Sequence, residues 1–225
     1  MIVAIHQPNY IGYLGFFDKM RKSDIFVLLD DAQFSKGDFH NRNRIKVSSG
    51  AKWLTVPVSA GFKPIKETMI NKDCKFSGMT WNDYHLHMFR QNYRKSKHFE
   101  PISQILNEIY SENYDRLMDI NMKMINFIKQ RLGIKTPVFL SGELNIKTSS
   151  TQRLVDICNH FDADCYLSGK NGPEYMDMSL FEKNKIAVVI QNLRHPTYTQ
   201  QHGEFVPYLS AMDALFNVGN IFEEV

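Results

Sequence analysis

Short, mainly apolar runs punctuate the chain at residues 1–5, 25–29, 136–140, 164–168 and 187–190, with Thr136, Pro137, Asp164 and Ser168 at the ends of two of them. Runs of four or five residues without alternation are the pattern of strands buried on both faces, as in a parallel sheet. Between the first two, Ile11, Leu14, Phe17 and Met20 recur near helical spacing, and the pattern stops near Lys22 and Ser23. Strand, helix and strand within about thirty residues predict a parallel crossover, with both strand ends at one sheet edge.

From Trp81 the period becomes helical. Trp81, Tyr84, Met88 and Asn92 form a stripe, a second helix runs to Tyr110 after Phe99, Glu100 and Pro101, and a third has Leu117, Ile120, Met124, Phe127 and Ile128 on one face before Gly133. Ser149 with Gln152 three residues later has capping-box spacing for a helix packing Leu154, Val155, Cys158 and Phe161. A last helix runs through Met212, Leu215 and Phe216. Residues 53–58 read as one more strand, with Pro57 marking an edge or end. Residues 59–78 read as a surface excursion with a short strand near 68–70. The expected fold is α/β: a mainly parallel sheet with flanking helices in a Rossmann-like three-layer architecture, plus a helical middle section. A single domain over 1–225 is expected, with 1–80 and 134–225 as the α/β core and 81–133 as the helical section.

In open α/β sheets ligands bind at the carboxyl ends of the strands, so the turns there are the first places to seek chemistry. After the first strand come His6, Gln7, Pro8, Asn9 and Tyr10; after the second, Asp30 and Asp31; after the run at 164–168, the small residues Ser168 and Gly169 with Lys170. His6 supplies acid-base capacity near neutral pH. Either aspartate can orient sugar hydroxyls or a metal, but strand alternation lets only one of the pair face a given pocket, and Asp30 is favoured. Ser168, Gly169 and Lys170 let a phosphate or sugar approach backbone amides, although the P-loop pattern is absent. His40, Arg42, Arg44 and Lys46 all fall on even positions, so an extended segment would align them as a cationic ladder, with Lys36 and Asn41 nearby. Guanidinium forks suit phosphate or carboxylate. A charged edge strand that discourages pairing between molecules is the plainer reading of the same pattern. His195 follows a strand and joins the candidates; His85, beside the stripe of its helix, reads as a core group more readily than a catalyst.

Composition changes this picture little. Of 225 residues, 43% are hydrophobic and 23% charged, as in ordinary globular chains, and no run approaches the ~20 apolar residues that span a bilayer. Neither a secretory leader nor membrane insertion is expected, which points to the cytoplasm. Cys74, Cys158 and Cys165 lack C-x-x-C spacing, and no metal site is expected. A formal charge of +3, without interleaved basic and aromatic residues over a long face, argues for a phosphorylated small molecule rather than a nucleic acid.

The motifs together resemble a known family. I-H-Q-P-N-Y at 5–10, Y-L-G-F-F-D-K at 13–19, L-D-D-A-Q-F at 29–34, N-R-N-R-I-K at 41–46, W-L-T-V-P-V at 53–58, Y-L-S-G at 166–169 and H-P-T-Y at 195–198 are similar to the WbqC-like proteins, over essentially the whole chain. Gly12 departs from that family's pattern, which has proline there. The resemblance implies a role in surface-glycan, O-antigen-type biosynthesis. A looser likeness of layout, strand then histidine turn then helix, is to nucleotidyltransferase-like enzymes such as pantothenate synthetase, and it makes ATP a candidate co-substrate. The H-x-G-H of those enzymes is absent.

The resulting expectation is a transferase acting on a nucleotide-activated sugar and moving an acyl or aminoacyl group. His6, Asp30 and Asp31 are its catalytic candidates. Gln7, Asn9, Tyr10, Lys36, His40, Asn41, Arg42, Arg44, Ser168, Gly169, Lys170 and His195 are its ligand-binding candidates. The alternative is a non-catalytic ligand-binding or scaffold subunit of a glycan-assembly complex.

Overall fold

A computed structural model describes residues 1–59 and 61–223. In chain order its regular elements are β1 (Ile2–His6), α1 (Leu14–Arg21), β2 (Ile25–Leu28), β3 (Arg42–Val47), β4 (Gly50–Thr55), α2 (Trp81–Tyr93), α3 (Phe99–Ser111), α4 (Leu117–Arg131), β5 (Val138–Leu140), α5 (Ser150–His160), β6 (Cys165–Ser168), α6 (Met178–Lys183), β7 (Ala187–Ile190) and α7 (Ala211–Asn217). They group into two compact units.

The first unit comprises Met1–Gln7, Gly15–Ala32 and Ile134–Arg194, and holds a five-stranded parallel sheet of order β5-β2-β1-β6-β7. The five apolar runs are these five strands. β1 lies at the centre, with Val3, Ala4 and Ile5 buried. The chain moves from β1 to β2 in one direction and from β6 to β7 in the other, so right-handed crossovers put their helices on opposite faces. Strand alternation sorts the core accordingly. Val3, Ile5, Val27 and Tyr166 face Val155, Cys158 and Phe181 of α5 and α6. On the other face Phe26 meets Phe16 of α1 edge to face at 5.2 Å. This is the three-layer arrangement expected, with edge strands β5 and β7 leaving Phe139 and Val189 partly exposed.

The second unit comprises Pro8–Leu14, Gln33–Gly133 and His195–Val225, over its described residues. Its β3–β4 hairpin is antiparallel and pairs Arg44 with Trp53. It does not join the parallel sheet, so residues 33–80 and 195–225 group with the helical section, not with the sheet as the expected division had them. The reason is hydrogen bonding: the hairpin satisfies itself, and Ser210 donates to the Arg44 carbonyl at 2.9 Å. The strand near 68–70 is reduced to isolated bridges, Val58 with Ile70 and Met69 with Arg116. Two local expectations change. Ile11 takes a left-handed φ of 40° and α1 starts only at Leu14, so Ile11 is outside the helix. The Ser149 side chain makes no cap bond, and Gln152 turns to Asp156 at 2.7 Å, so no capping box forms.

Candidate functional site

The topology of the first unit marks one location. β1 lies between β2 and β6, where the winding reverses, and a crevice opens there beyond the strand ends. A cavity of about 750 Å³ occupies it, within the range of small-molecule sites. β1 contributes Ile5 and His6, with Gln7 after it; Leu29 and Ala32 follow β2; β6 contributes Tyr166, with Gly169 beyond it; Ser149, Ser150, Thr151 and Arg153 come from the start of α5. Lys19 reaches the cavity from α1.

His6 ends β1 opposite Leu28, and its Nδ1 lies 2.8 Å from the Gln7 carbonyl, which makes Nδ1 the protonated nitrogen. Phe16 packs edge-on against the ring at 5.1 Å. The imidazole orientation is thus fixed from two sides.

Lys19 ends the Y-L-G-F-F-D-K stretch but was not among the site candidates, and its surroundings are unusual. Its side chain is 3% exposed, and Nζ donates to the Ile5 carbonyl at 2.8 Å and sits 5.8 Å from the Tyr166 ring. Its neighbour Asp18 pairs instead with Arg21 and Lys22, at 3.0 and 2.9 Å. Burial lowers the Lys19 amine from the usual 10.5 to about 7. A further clue in the sequence was a pair of charges, Asp18 and Lys19, inside an eight-residue helix whose one other charge is the terminal Arg21.

Asp30 and Asp31 do adjoin the end of β2, but neither lines the cavity. Asp30 accepts from the Gly142 amide at 2.7 Å and fastens the turn after β5. Asp31 receives Arg153 at 2.5 Å and the Ser141 hydroxyl. Burial opposes the Asp31 charge, but the Ser141 and Arg153 contacts outweigh it and hold the carboxyl below its ordinary range. Asp31 therefore positions Arg153, a residue whose partner lies 122 positions away and which the sequence did not single out. Arg153 Nε is buried with no hydrogen-bond partner.

The start of α5 adds to this. Its first-turn amides have no intrahelical partners, Ser149 does not cap them, and Ser150 holds a left-handed φ of 49°. Non-glycine strain of this kind collects at functional sites. Thr151 is tied off, accepting from the Asp177 amide at 3.0 Å. Of the 168–170 turn, only Gly169 lines the cavity; Ser168 is buried and donates to the Gly169 carbonyl at 3.1 Å, and Lys170 is exposed. Gly172 closes the turn so tightly that a Cβ there would stand 1.9 Å from Ser168 Oγ.

The remaining candidates lie in the second unit. Asn9 is buried, and Tyr10 is a core residue whose hydroxyl meets His85 Nδ1 at 2.7 Å and also Tyr110. His85 is fully buried, and burial drops it to about 3 against a weaker opposing effect of the Thr55 backbone. It is a neutral core histidine. His195 has both nitrogens engaged, Nδ1 with the Pro196 carbonyl at 2.9 Å and Nε2 with the Tyr208 amide at 3.2 Å.

The cationic ladder is only half present. Arg42 and Arg44 share a face with Trp53, their guanidinium carbons 4.3 and 5.8 Å from its ring. Arg42 also donates to the Gly37 carbonyl, and Arg44 to that of Tyr208 at 3.2 Å. His40 and Lys46 are buried. His40 precedes the strand, accepts from the Ser35 amide at 3.3 Å and is lowered by burial against the pull of Asp38; Lys46 Nζ donates to the Glu204 carbonyl. Lys36, Asn41 and Arg42 line a second cavity of about 690 Å³ with Phe34, Pro57 and Phe62. Among the described residues no group of three His, Cys, Asp or Glu could hold a metal ion, and no helix is long and apolar enough to cross a membrane.

The family model for the WbqC-like proteins matches residues 7–222. The chain belongs to the WbqC-like protein family. This WbqC-like chain is also 36% identical over 222 residues to the Mycobacterium tuberculosis (strain ATCC 25618 / H37Rv) protein described as "Uncharacterized protein Rv1507c", covering 96% of this chain and 94% of that one. No solved structure matches it. The match to the WbqC-like model takes in nearly every cavity residue, from Gln7 through Met176, with Ile5 and His6 just before it.

Proposed function

We propose that this WbqC-like protein is a transferase of surface-glycan biosynthesis acting on a nucleotide-activated sugar in the cavity beyond β1 and β6. The phosphates would lie against the first turn of α5 and Arg153, and the sugar against His6 and Lys19. One observation carries the reading: an unpaired, buried lysine and a fixed histidine share a cavity with an uncapped helix start and an arginine that keeps a donor without a partner. Helix starts and guanidinium groups favour phosphate, while the Lys19 amine, lowered by burial to about 7, favours proton transfer to the acceptor of an acyl or aminoacyl group. A cavity of this size suits a small molecule. A nucleotide-activated substrate would be met in the cytoplasm, and ATP is the alternative phosphate ligand.

Thermal-shift and calorimetric screening against a panel of nucleotide sugars, with ATP for comparison, tests it. A member at ~100 times its dissociation constant should add about 2.7 kcal/mol of stability. Arg153→Met should weaken that binding and His6→Ala should spare binding while stopping turnover. The absence of any nucleotide-dependent shift, or binding untouched in Arg153→Met, refutes the phosphate site. Binding without turnover under every donor tried favours a ligand-binding subunit.

A further inference from the structure

We infer that Lys19 is a nucleophilic amine that condenses with a carbonyl carbon of an anionic ligand in the cavity, forming an imine. This rests on the proposed anion site and narrows its substrate to a sugar bearing a ketone or an open-chain aldehyde.

The geometry carries it. Lys19 is the buried basic residue of the first unit's cavity, and its Nζ has a single hydrogen bond, to the Ile5 carbonyl at 2.8 Å. No ion pair holds it among the described residues: Asp18 is taken by Arg21 and Lys22, and Asp31 by Arg153. A lysine with a purely structural role at this depth would ordinarily be paired, because an isolated buried ammonium is costly. The Ile5 carbonyl accepts a hydrogen bond from the amine and leaves the nitrogen lone pair free to point elsewhere. The Tyr166 ring, 5.8 Å away, keeps that side apolar.

The chemistry balances without a further reactant. The lone pair attacks the carbonyl carbon, the C–N bond forms, and the oxygen departs as water carrying both amine protons, leaving C=N. His6, with Nδ1 protonated towards the Gln7 carbonyl, can take a proton at Nε2 from the adding amine and pass it to the departing oxygen. At pH 7 an amine that titrates at about 7 is roughly half free base, whereas a lysine at the usual ~10.4 is below about 0.1%. That difference makes Lys19 the preferred nucleophile among the lysines.

The test uses the full chain and pyridoxal 5′-phosphate as an anionic aldehyde, with unphosphorylated pyridoxal as its control. Imines are reduced with borohydride after short exposure at pH 7 and mapped by peptide mass spectrometry. Lys19 should be modified at least tenfold faster than any other amine, with a midpoint near pH 7, and the phosphorylated aldehyde should react faster than pyridoxal. Arg153→Met should remove the preference for the phosphorylated probe without removing labelling. Lys19→Met should remove the labelling altogether. Because mapping on the wild-type chain already assigns the site, a poorly folded variant leaves the result intact. Modification spread over surface lysines, with Lys19 unlabelled, overturns the proposal even if nucleotide sugars bind. Equal labelling of Lys19 by both aldehydes upholds the amine and counts against the phosphate site instead.

Discussion

Replacing Lys19 by methionine keeps most of the unbranched side chain, one atom shorter, and removes its ionisation, which isolates the energetic cost of that buried amine. The folded state holds the amine at about 7, and an unfolded chain returns it to about 10.5. Between these values the unfolded chain binds the extra proton, so stability rises with pH through this window and the penalty is complete below pH 7. A separation of that size corresponds to about 5 kcal/mol at low pH, and between pH 6 and 8.5 it makes the wild-type chain more stable by about 2 kcal/mol. The variant lacks this slope. It also loses the hydrogen bond to the Ile5 carbonyl, a constant cost of about 1 kcal/mol that does not depend on pH. Urea unfolding of both proteins at pH 6, 7 and 8.5 should show the variant's advantage shrinking by about 2 kcal/mol across the series. Parallel stability curves would refute the reasoning, because they would mean that Lys19 keeps an ordinary pKa when folded.

His85 should behave in the acid range as Lys19 does near neutrality. With its folded value near 3 against about 6.5 unfolded, stability falls as pH drops from 6.5 towards 3, and His85→Gln should flatten that limb of a circular-dichroism pH titration. Gly172→Ala should cost about 1–3 kcal/mol in thermal unfolding, since its Cβ meets both Ser168 Oγ and, at 3.0 Å, the Met176 methyl; Ser168→Ala added to it should recover part of the loss. Asp31→Asn should release Arg153 and weaken nucleotide-sugar binding in calorimetry while leaving labelling of Lys19 by pyridoxal unchanged.

The periodicity of the sequence was enough for the sheet. Five mainly apolar runs became its five strands, because a parallel strand covered on both faces is apolar through its middle. The helical stripes at 81–132 were equally legible, since amphipathic spacing reports burial directly. The location of the site at a strand-end crevice followed from the same pattern, and His6, Gln7 and Gly169 do line it. Which polar groups face that crevice was a different matter. Asp30 and Asp31 sit at the right strand end, but Gly142 and Arg153 take them, and those partners are brought there by β5 and α5 from more than a hundred residues away. The even spacing of His40, Arg42, Arg44 and Lys46 fixed a shared face only where a strand exists, and the segments packed on it decided that Lys46 and His40 are buried while the arginines lie by Trp53. Lys19 shows the limit most plainly. Its charge is a property of one residue, but whether that charge survives depends on what surrounds the amine. Solvation and pairing are settled only when β1, β6 and α1 close around it, so local pattern determines the elements and tertiary contact determines their chemistry.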